Sequence, residues 1–113
     1  MSISISSRKA KSRNLQNKIV ETLLEKYPTL TSNDVKAAIM GESGIDIRLS
    51  EAARKLFPYA VEAKNQESLS IWAALEQCEE NSKLEKLIPL LIFKRNRSGI
   101  YVVLKLEDFV KLI

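Results

Sequence analysis

The strongest constraint on the fold comes from residues 87–93, an unbroken apolar run without a charged side chain. A short run of this kind, bounded by polar segments, is typical of a strand. The turn Asn96-Arg97-Ser98-Gly99 follows, and a second apolar run at residues 100–104 indicates another strand. The end of the chain is therefore predicted to contain two consecutive strands that form part of a sheet.

The first half of the chain alternates between helical and extended patterns. Apolar residues recur at helical spacing over residues 12–27, which predicts a helix there. Residues 35–40 fit either a short helix or a strand, and the sequence leaves both open. Residues 45–49 alternate between apolar and charged side chains, as in a half-buried strand. Ser50 is then expected to cap a short helix that ends at residue 56.

The second half supplies a strand at residues 61–65, a helix at 68–82 and a short closing helix at 106–113. The order of these elements predicts an α/β fold, with a mixed β-sheet flanked by helices. Residues 1–113 are expected to form one domain, with a short basic N-terminal segment at about 1–13. The core stripe of the helix at 68–82 is predicted to consist of Leu69, Trp72, Leu75 and Cys78.

Composition limits the chemistry that the chain can perform. The 113 residues contain no histidine and one cysteine, Cys78, so zinc sites and Ser-His or Cys-His catalysis are excluded. Any metal must therefore have oxygen ligands, as magnesium, manganese and calcium do. A single cysteine suits a reducing cytoplasm, and no apolar run approaches the about 20 residues that span a membrane.

The net charge is +4, and the basic residues are grouped. Residues 1–18 contain no acid, and a second basic group occupies the turn after residue 93. Separation of positive from negative charge suits a surface that lies on a phosphate backbone, although a merely solvated surface is an equal alternative. The candidate nucleic-acid-binding residues are Arg8, Lys9, Lys11, Arg13, Arg48, Lys94, Arg95 and Arg97.

The stretch Glu62-Ala63-Lys64 places a carboxylate and an ammonium on one face of the predicted strand, roughly 6.6 Å apart. Either this is a solvated edge with an ordinary ion pair, or the charged face belongs to a site. The same spacing occurs in Asp34-Val35-Lys36, which lies in a polar turn. The alternating strand that contains Asp46 precedes Glu62 by sixteen residues, and this context favours Glu62 and Lys64 as the site.

If these two strands pair, Asp46 and Glu62 approach each other. Adjacent carboxylates repel unless one is protonated or a cation lies between them. Magnesium is usually held by one or two carboxylates together with waters and substrate phosphate. Lys64 could then hold the attacking water or neutralise charge that develops on the phosphate. The pattern therefore predicts a phosphodiester hydrolase.

At these residues the sequence resembles the PD-(D/E)xK nuclease superfamily, in its small phage-encoded and Holliday-junction-resolvase-like forms. The matching motifs are Gly44-Ile45-Asp46-Ile47 and Glu62-Ala63-Lys64. The resemblance implies a restriction-endonuclease-like αβββαβ core. It also implies that Asp46 and Glu62 are metal ligands, that the Ala63 carbonyl adds another, and that Lys64 is the catalytic lysine.

Further residues follow from the same resemblance. The resolvase branch carries a glutamate on its first helix, and here Gln16 takes that position, whereas Glu21 points away. Gln77 on the middle helix could reach the site, or it could be a polar neighbour of the core. Arg48 could pair with Asp46 or contact phosphate. Glu42 could act as a supplementary acid or remain a solvated loop residue.

The leading hypothesis is a magnesium-dependent DNA endonuclease, with manganese as a possible substitute, that selects branched DNA. The chain is too short to contain a separate sequence-reading domain, which favours recognition of shape and backbone charge. Two coordinated cuts in a four-way junction would require a homodimer. The resemblance also places the protein in the cytoplasm of a phage-infected host. The alternatives are a non-catalytic nucleic-acid-binding module and an interaction domain in which Glu62 and Lys64 form a surface ion pair.

Overall fold

A computed structural model of the chain describes residues 5–39 and 44–113. Glu42 lies outside the described residues, as do the first four residues of the predicted basic segment. The elements follow in the order α1 (Ile5–Lys26), β1 (Val35–Ala37), β2 (Ile47–Leu49), α2 (Glu51–Leu56), β3 (Tyr59–Asn65), α3 (Ile71–Glu85), β4 (Ile88–Lys94), β5 (Tyr101–Val103) and α4 (Leu106–Val110).

The apolar run at residues 87–93 becomes β4, the central strand of a three-stranded sheet with the order β3-β4-β5. β4 is parallel to β3 and antiparallel to β5, so the sheet is mixed. The predicted α/β class is confirmed, and the elements follow the expected order of helix, three strands, helix and strand. The short helix α2 is inserted before β3.

Of the segment at residues 35–40, for which the sequence left helix and strand open, Val35–Ala37 is a strand, because it pairs with Ile47–Leu49 in a separate antiparallel ladder. The predicted pairing between the strand at 45–49 and β3 is only partly formed. It consists of a hydrogen bond from the Asp46 backbone N–H to the Val61 carbonyl, 2.9 Å long. Asp46 therefore lies just before β2, at the point where the small sheet meets the large one.

Helix α1 covers the face of β3 that carries Val61 and Ala63. It extends over Ile5–Lys26, so it includes much of the predicted basic segment, since Arg, Lys and Ala favour helix. Its buried apolar side chains recur at a spacing of four residues and share one core cluster with β3. These side chains are Leu15, Ile19 and Leu23.

Helix α3 packs on the opposite face of the sheet, and of the predicted stripe only Cys78 is buried. Its buried residues are Ala74, Cys78 and Ser82, which are spaced four apart. Trp72 is 80% exposed, so its assignment to the core is wrong. Residues spaced three apart are separated by about 300° around the helix axis, so they do not stay on one face. Over nine residues such a stripe reaches the opposite side of the helix. The small residues instead let α3 approach the sheet closely.

Asp34 links the turn before β1 to the start of α2. Its carboxylate accepts hydrogen bonds from the Thr31 N–H at 2.8 Å and the Ser50 hydroxyl at 2.7 Å. These bonds lower the pKa of Asp34. The Ser50 oxygen in turn accepts the Ala53 N–H, so the predicted cap of α2 is confirmed. The Asp34 carboxylate thus stabilises the turn.

Within the described residues, no helix is both long enough and apolar enough to cross a membrane.

Candidate active site

Glu62 and Lys64 lie side by side on the face of β3 that packs against α3. Glu62 is only 4% exposed although it is an acid. Lys64 Nζ lies 3.5 Å from Glu62 Oε1. Val61 and Ala63 face the opposite way, into the core shared with α1, as the alternation predicts. The alternative of a solvated surface ion pair is wrong, because one partner is almost completely buried.

The Asp46 carboxylate reaches the same part of β3 from the loop before β2. Its Oδ2 accepts the Ala63 backbone N–H at 2.7 Å. The N–H and C=O of one residue project from the same edge of a strand, so the Ala63 carbonyl also projects toward Asp46. The two acidic motifs of the sequence therefore meet at the edge of β3 that does not pair with β4.

The charges of Asp46, Glu62 and Lys64 do not cancel one another. Burial raises the pKa of the Asp46 carboxyl, while the hydrogen bond from Ala63 and the charge of Lys64 oppose the rise. Burial also raises the pKa of Glu62, and the negative charge of Asp46 raises it further, against Lys64 and Asn81. With both acids ionised, the two carboxylates outnumber the single ammonium, and a bound cation would offset the excess negative charge.

Asn81 is a residue of this group that the sequence patterns did not indicate. Its side-chain amide donates to Glu62 Oε2 at 3.3 Å and to the Gly44 carbonyl at 3.2 Å. Gly44 has a φ of 107°, a conformation that strongly favours glycine. Asn81 therefore ties α3 both to Glu62 and to the loop that carries Asp46. It lies three residues after Cys78, on the side of α3 that faces the sheet. The sequence would have indicated Asn81 only if the buried face of α3 had been predicted correctly.

Two carboxylates and the Ala63 carbonyl are the oxygen ligands available here. No group of three or more Cys, Asp and Glu side chains capable of holding a metal occurs in residues 5–39 and 44–113. Magnesium does not need such a group, since one or two carboxylates plus substrate phosphate and waters can complete its shell. The residues present therefore fit a magnesium ion that is shared with a substrate.

The two predicted glutamines are placed differently. Gln16 is buried at 6% exposure on α1, and its helix covers the face of β3 opposite to Glu62 and Lys64. No hydrogen bond joins it to Asp46, Glu62 or Lys64 in the described part of the chain. Gln77 is exposed, and it lines a shallow pocket together with Lys64. The structure therefore places Gln77 beside Lys64, whereas the role of Gln16 stays a prediction.

The two basic groups converge near Lys64. The Asn65 side chain donates to the Lys11 carbonyl at 3.1 Å, which holds the N-terminal half of α1 against the end of β3. Asn65 is also the register partner of Lys94, the last residue of β4. The exposed residues Arg8, Lys9, Arg13, Arg95 and Arg97 belong to the same two segments.

Arg48 lies apart from these segments. It is exposed on β2 and faces Lys36 across the antiparallel ladder. Its neighbour in the ladder, Lys36, is also basic.

A family model described as "Phage putative PDDEXK endonuclease" matches residues 30–113. The match includes both sheets and the residues Asp46, Glu62 and Lys64. Comparison with curated proteins and with solved structures yields no match. Because the matched segment covers well over half of the sequence, the chain belongs to the phage PDDEXK endonuclease family.

Proposed function

We propose that this chain is a magnesium-dependent DNA endonuclease, with Asp46, Glu62 and Lys64 as the residues at the reacting phosphate. The observation that carries the proposal is their meeting at the end of β3, where the two basic segments also converge. A DNA backbone held by those segments would lie beside the two carboxylates. Sequence-independent contacts of this kind suit an enzyme without a reading domain.

Asp46, Glu62 and the Ala63 carbonyl would hold the magnesium ion, for which manganese could substitute. When bound, the ion polarises a phosphoryl oxygen and lowers the pKa of a coordinated water. The hydrogen bond from the Ala63 N–H keeps Asp46 oriented toward β3. The Asn81 amide and the Lys64 ammonium each occupy one oxygen of Glu62 and hold its carboxylate in place.

Lys64 contributes a positive charge within a largely buried environment. Its Nζ can orient the attacking water or stabilise the charge that develops on the phosphate. Gln77 shares its pocket and could position the same water. Gln16 would hold a metal-bound water through its amide oxygen, as the family resemblance implies.

The proposed substrate is branched DNA, such as a four-way junction, and the proposed location is the cytoplasm of the infected host. Two coordinated cuts would require two active sites in a symmetric homodimer. The single domain would recognise the shape and charge of the junction rather than its base sequence.

The test is cleavage of an end-labelled four-way junction and of a linear duplex of the same sequence, with magnesium, with manganese and with a chelator. The variants are Glu62→Ala, Lys64→Ala and, as a matched control, Glu67→Ala, which removes an exposed acid just after β3. We expect metal-dependent cuts in the wild type and the control, and none in the other two. Preferential cleavage of the junction would support a resolvase.

The same experiment separates the alternative function. Tight DNA binding without cleavage under either metal would contradict the endonuclease and favour a non-catalytic nucleic-acid-binding module. Full activity of Glu62→Ala would instead contradict the assignment of the site. Equal cutting of both substrates would leave the endonuclease intact but contradict its selectivity for branched DNA.

A further inference from the structure

Two aromatic side chains lie in line with Lys64 across the large sheet. Lys64 is the register partner of Phe93 in β4, and Phe93 is in turn the register partner of Tyr101 in β5. Register partners project to the same face of a sheet, and neighbouring strands lie about 4.8 Å apart. The three side chains therefore form one row on the face that carries α3, with the Tyr101 backbone roughly 10 Å from that of Lys64.

The two aromatic rings contact each other, and one of them is largely open to solvent. The ring centroids of Phe93 and Tyr101 are 6.0 Å apart, with an angle of 34° between the ring planes. Phe93 is partly buried, whereas Tyr101 is 59% exposed. Phe93 thus supports the Tyr101 ring from one side and leaves much of it available to a partner. We call Phe93 and Tyr101 the aromatic platform.

The chain between the two aromatic residues is a basic turn. It contains Lys94, Arg95 and Arg97, and residues 86–106 as a whole carry five basic side chains and no acidic one. Ser98 stabilises the turn, because its hydroxyl oxygen accepts the Arg95 N–H at 3.0 Å. The aromatic platform therefore lies next to a hydrogen-bonded turn whose charged side chains are all positive.

Positive charge beside an exposed aromatic ring is a combination that suits a single strand of nucleic acid. Proteins that hold such strands combine basic side chains along the backbone with aromatic rings on which bases stack. The loop after β3 adds one acid, Glu67, which the three basic side chains of the turn outnumber. Stacking on a protein ring requires a base that is not already stacked within a duplex, so the occupant that fits is an unpaired base.

We propose that the aromatic platform stacks an unpaired base of the DNA strand whose phosphate lies at Lys64. The basic turn holds the neighbouring phosphates of the same strand. The inference rests on the proposed endonuclease and deepens it, because it identifies unpaired bases next to the cut as the feature of branched DNA that the protein recognises. Its test measures binding without metal, so the result does not depend on cleavage.

The test is binding of fluorescein-labelled DNA, a single strand and a duplex of the same length, to the full chain in the presence of a chelator, measured by fluorescence anisotropy. The variants are Tyr101→Leu, which removes the ring, and Tyr101→Phe, which keeps it. The matched control is Phe109→Leu, because Phe109 is 48% exposed and lies on α4, which follows the other end of β5. Circular dichroism establishes that each variant is folded.

We expect Tyr101→Leu to raise the Kd for the single strand at least about fivefold, with a smaller effect on the duplex, because stacking on the ring is lost. Tyr101→Phe and Phe109→Leu should bind as the wild type does. The slope of log Kd against log salt concentration should stay the same in Tyr101→Leu, since the substitution removes no phosphate contact.

Single-strand binding by Tyr101→Leu equal to that of the wild type would overturn the proposal, as would a wild type that does not bind the single strand. An equal loss for the duplex, or in the control, would also overturn it. If Tyr101→Leu fails to fold, irradiation of the wild type bound to a single strand that contains iodouracil carries the test. A crosslink to Tyr101 or Phe93, located by mass spectrometry, would support the platform, and its absence at both rings would overturn it. Single-strand binding through Tyr101 without cleavage in magnesium would contradict only the endonuclease.

Discussion

Replacing Glu62 by glutamine should stabilise the metal-free protein while abolishing cleavage. Burial and the charge of Asp46 raise the pKa of Glu62 despite Lys64 and Asn81, so the folded environment disfavours the ionised side chain. Glutamine has nearly the same shape, and its carbonyl can still accept the Asn81 amide. Lys64 keeps Asp46 as an opposite charge. The substitution therefore removes the repulsion between the Glu62 and Asp46 carboxylates, and it leaves no buried charge unpaired.

The gain should be about 1 kcal/mol, within the range that single stabilising substitutions commonly give. For a domain of 113 residues this corresponds to a rise in Tm of roughly 4 °C. A carboxyl with a raised pKa lowers folded-state stability as pH rises from its ordinary value of 4.5 through the folded value. The gain should therefore be greatest above the folded-state pKa of Glu62 and should fade as the solution is acidified toward pH 4.5.

The assay is urea and thermal unfolding of wild type and Glu62→Gln at several pH values, with a chelator and then with magnesium. Glu79→Gln is the matched control, because Glu79 pairs with Lys105 at the surface of α3. Magnesium should raise the Tm of the wild type and leave Glu62→Gln almost unchanged, since a ligand stabilises the state that binds it.

Equal or lower stability of Glu62→Gln at neutral pH without metal would refute the reasoning about charge repulsion. A gain that persists unchanged at acidic pH would refute its assignment to the ionisation of Glu62. If magnesium stabilised both proteins equally, Glu62 would not be one of its ligands.

Three smaller perturbations test other parts of the structure. Asp34→Asn should lower the Tm at neutral pH, with a difference that disappears as pH falls below about 3.8, because the bonded carboxylate has a lowered pKa. Asn81→Ala should reduce the cleavage rate about tenfold with little change in DNA affinity, because Asn81 only positions Glu62. Trp72→Ala should change the free energy of unfolding by less than about 0.5 kcal/mol, since Trp72 is exposed.

Each of these has a result that would contradict it. A pH-independent loss in Asp34→Asn would indicate a steric effect of the amide. Equal losses of rate and of DNA affinity in Asn81→Ala would indicate that Asn81 contacts the substrate directly. A loss of several kcal/mol in Trp72→Ala would mean that the indole packs against the core.

The local sequence pattern was sufficient to predict an element where a single property of neighbouring residues, such as their polarity, decides its structure. The apolar run of β4, the alternation around Glu62 and the Ser50 cap each depend on neighbours in the chain, and these elements formed as expected. The strand predicted at residues 45–49 formed only over Ile47–Leu49, which leaves Asp46 outside it. Helix α3 begins and ends three residues later than predicted, and its buried face differs from the predicted stripe of mainly large apolar residues. Close packing on the sheet instead selected the small residues Ala74, Cys78 and Ser82.

The amino-acid sequence by itself determined the element order, the oxygen-ligand chemistry of any metal and the shared face of Glu62 and Lys64, since side-chain direction in a strand has a period of two. Only the tertiary structure decided which distant groups meet that face. The bond from Ala63 to Asp46, the Asn81 amide on Glu62 and the convergence of the basic segments join residues remote in the sequence. No local pattern specifies such contacts, because they depend on how whole elements pack.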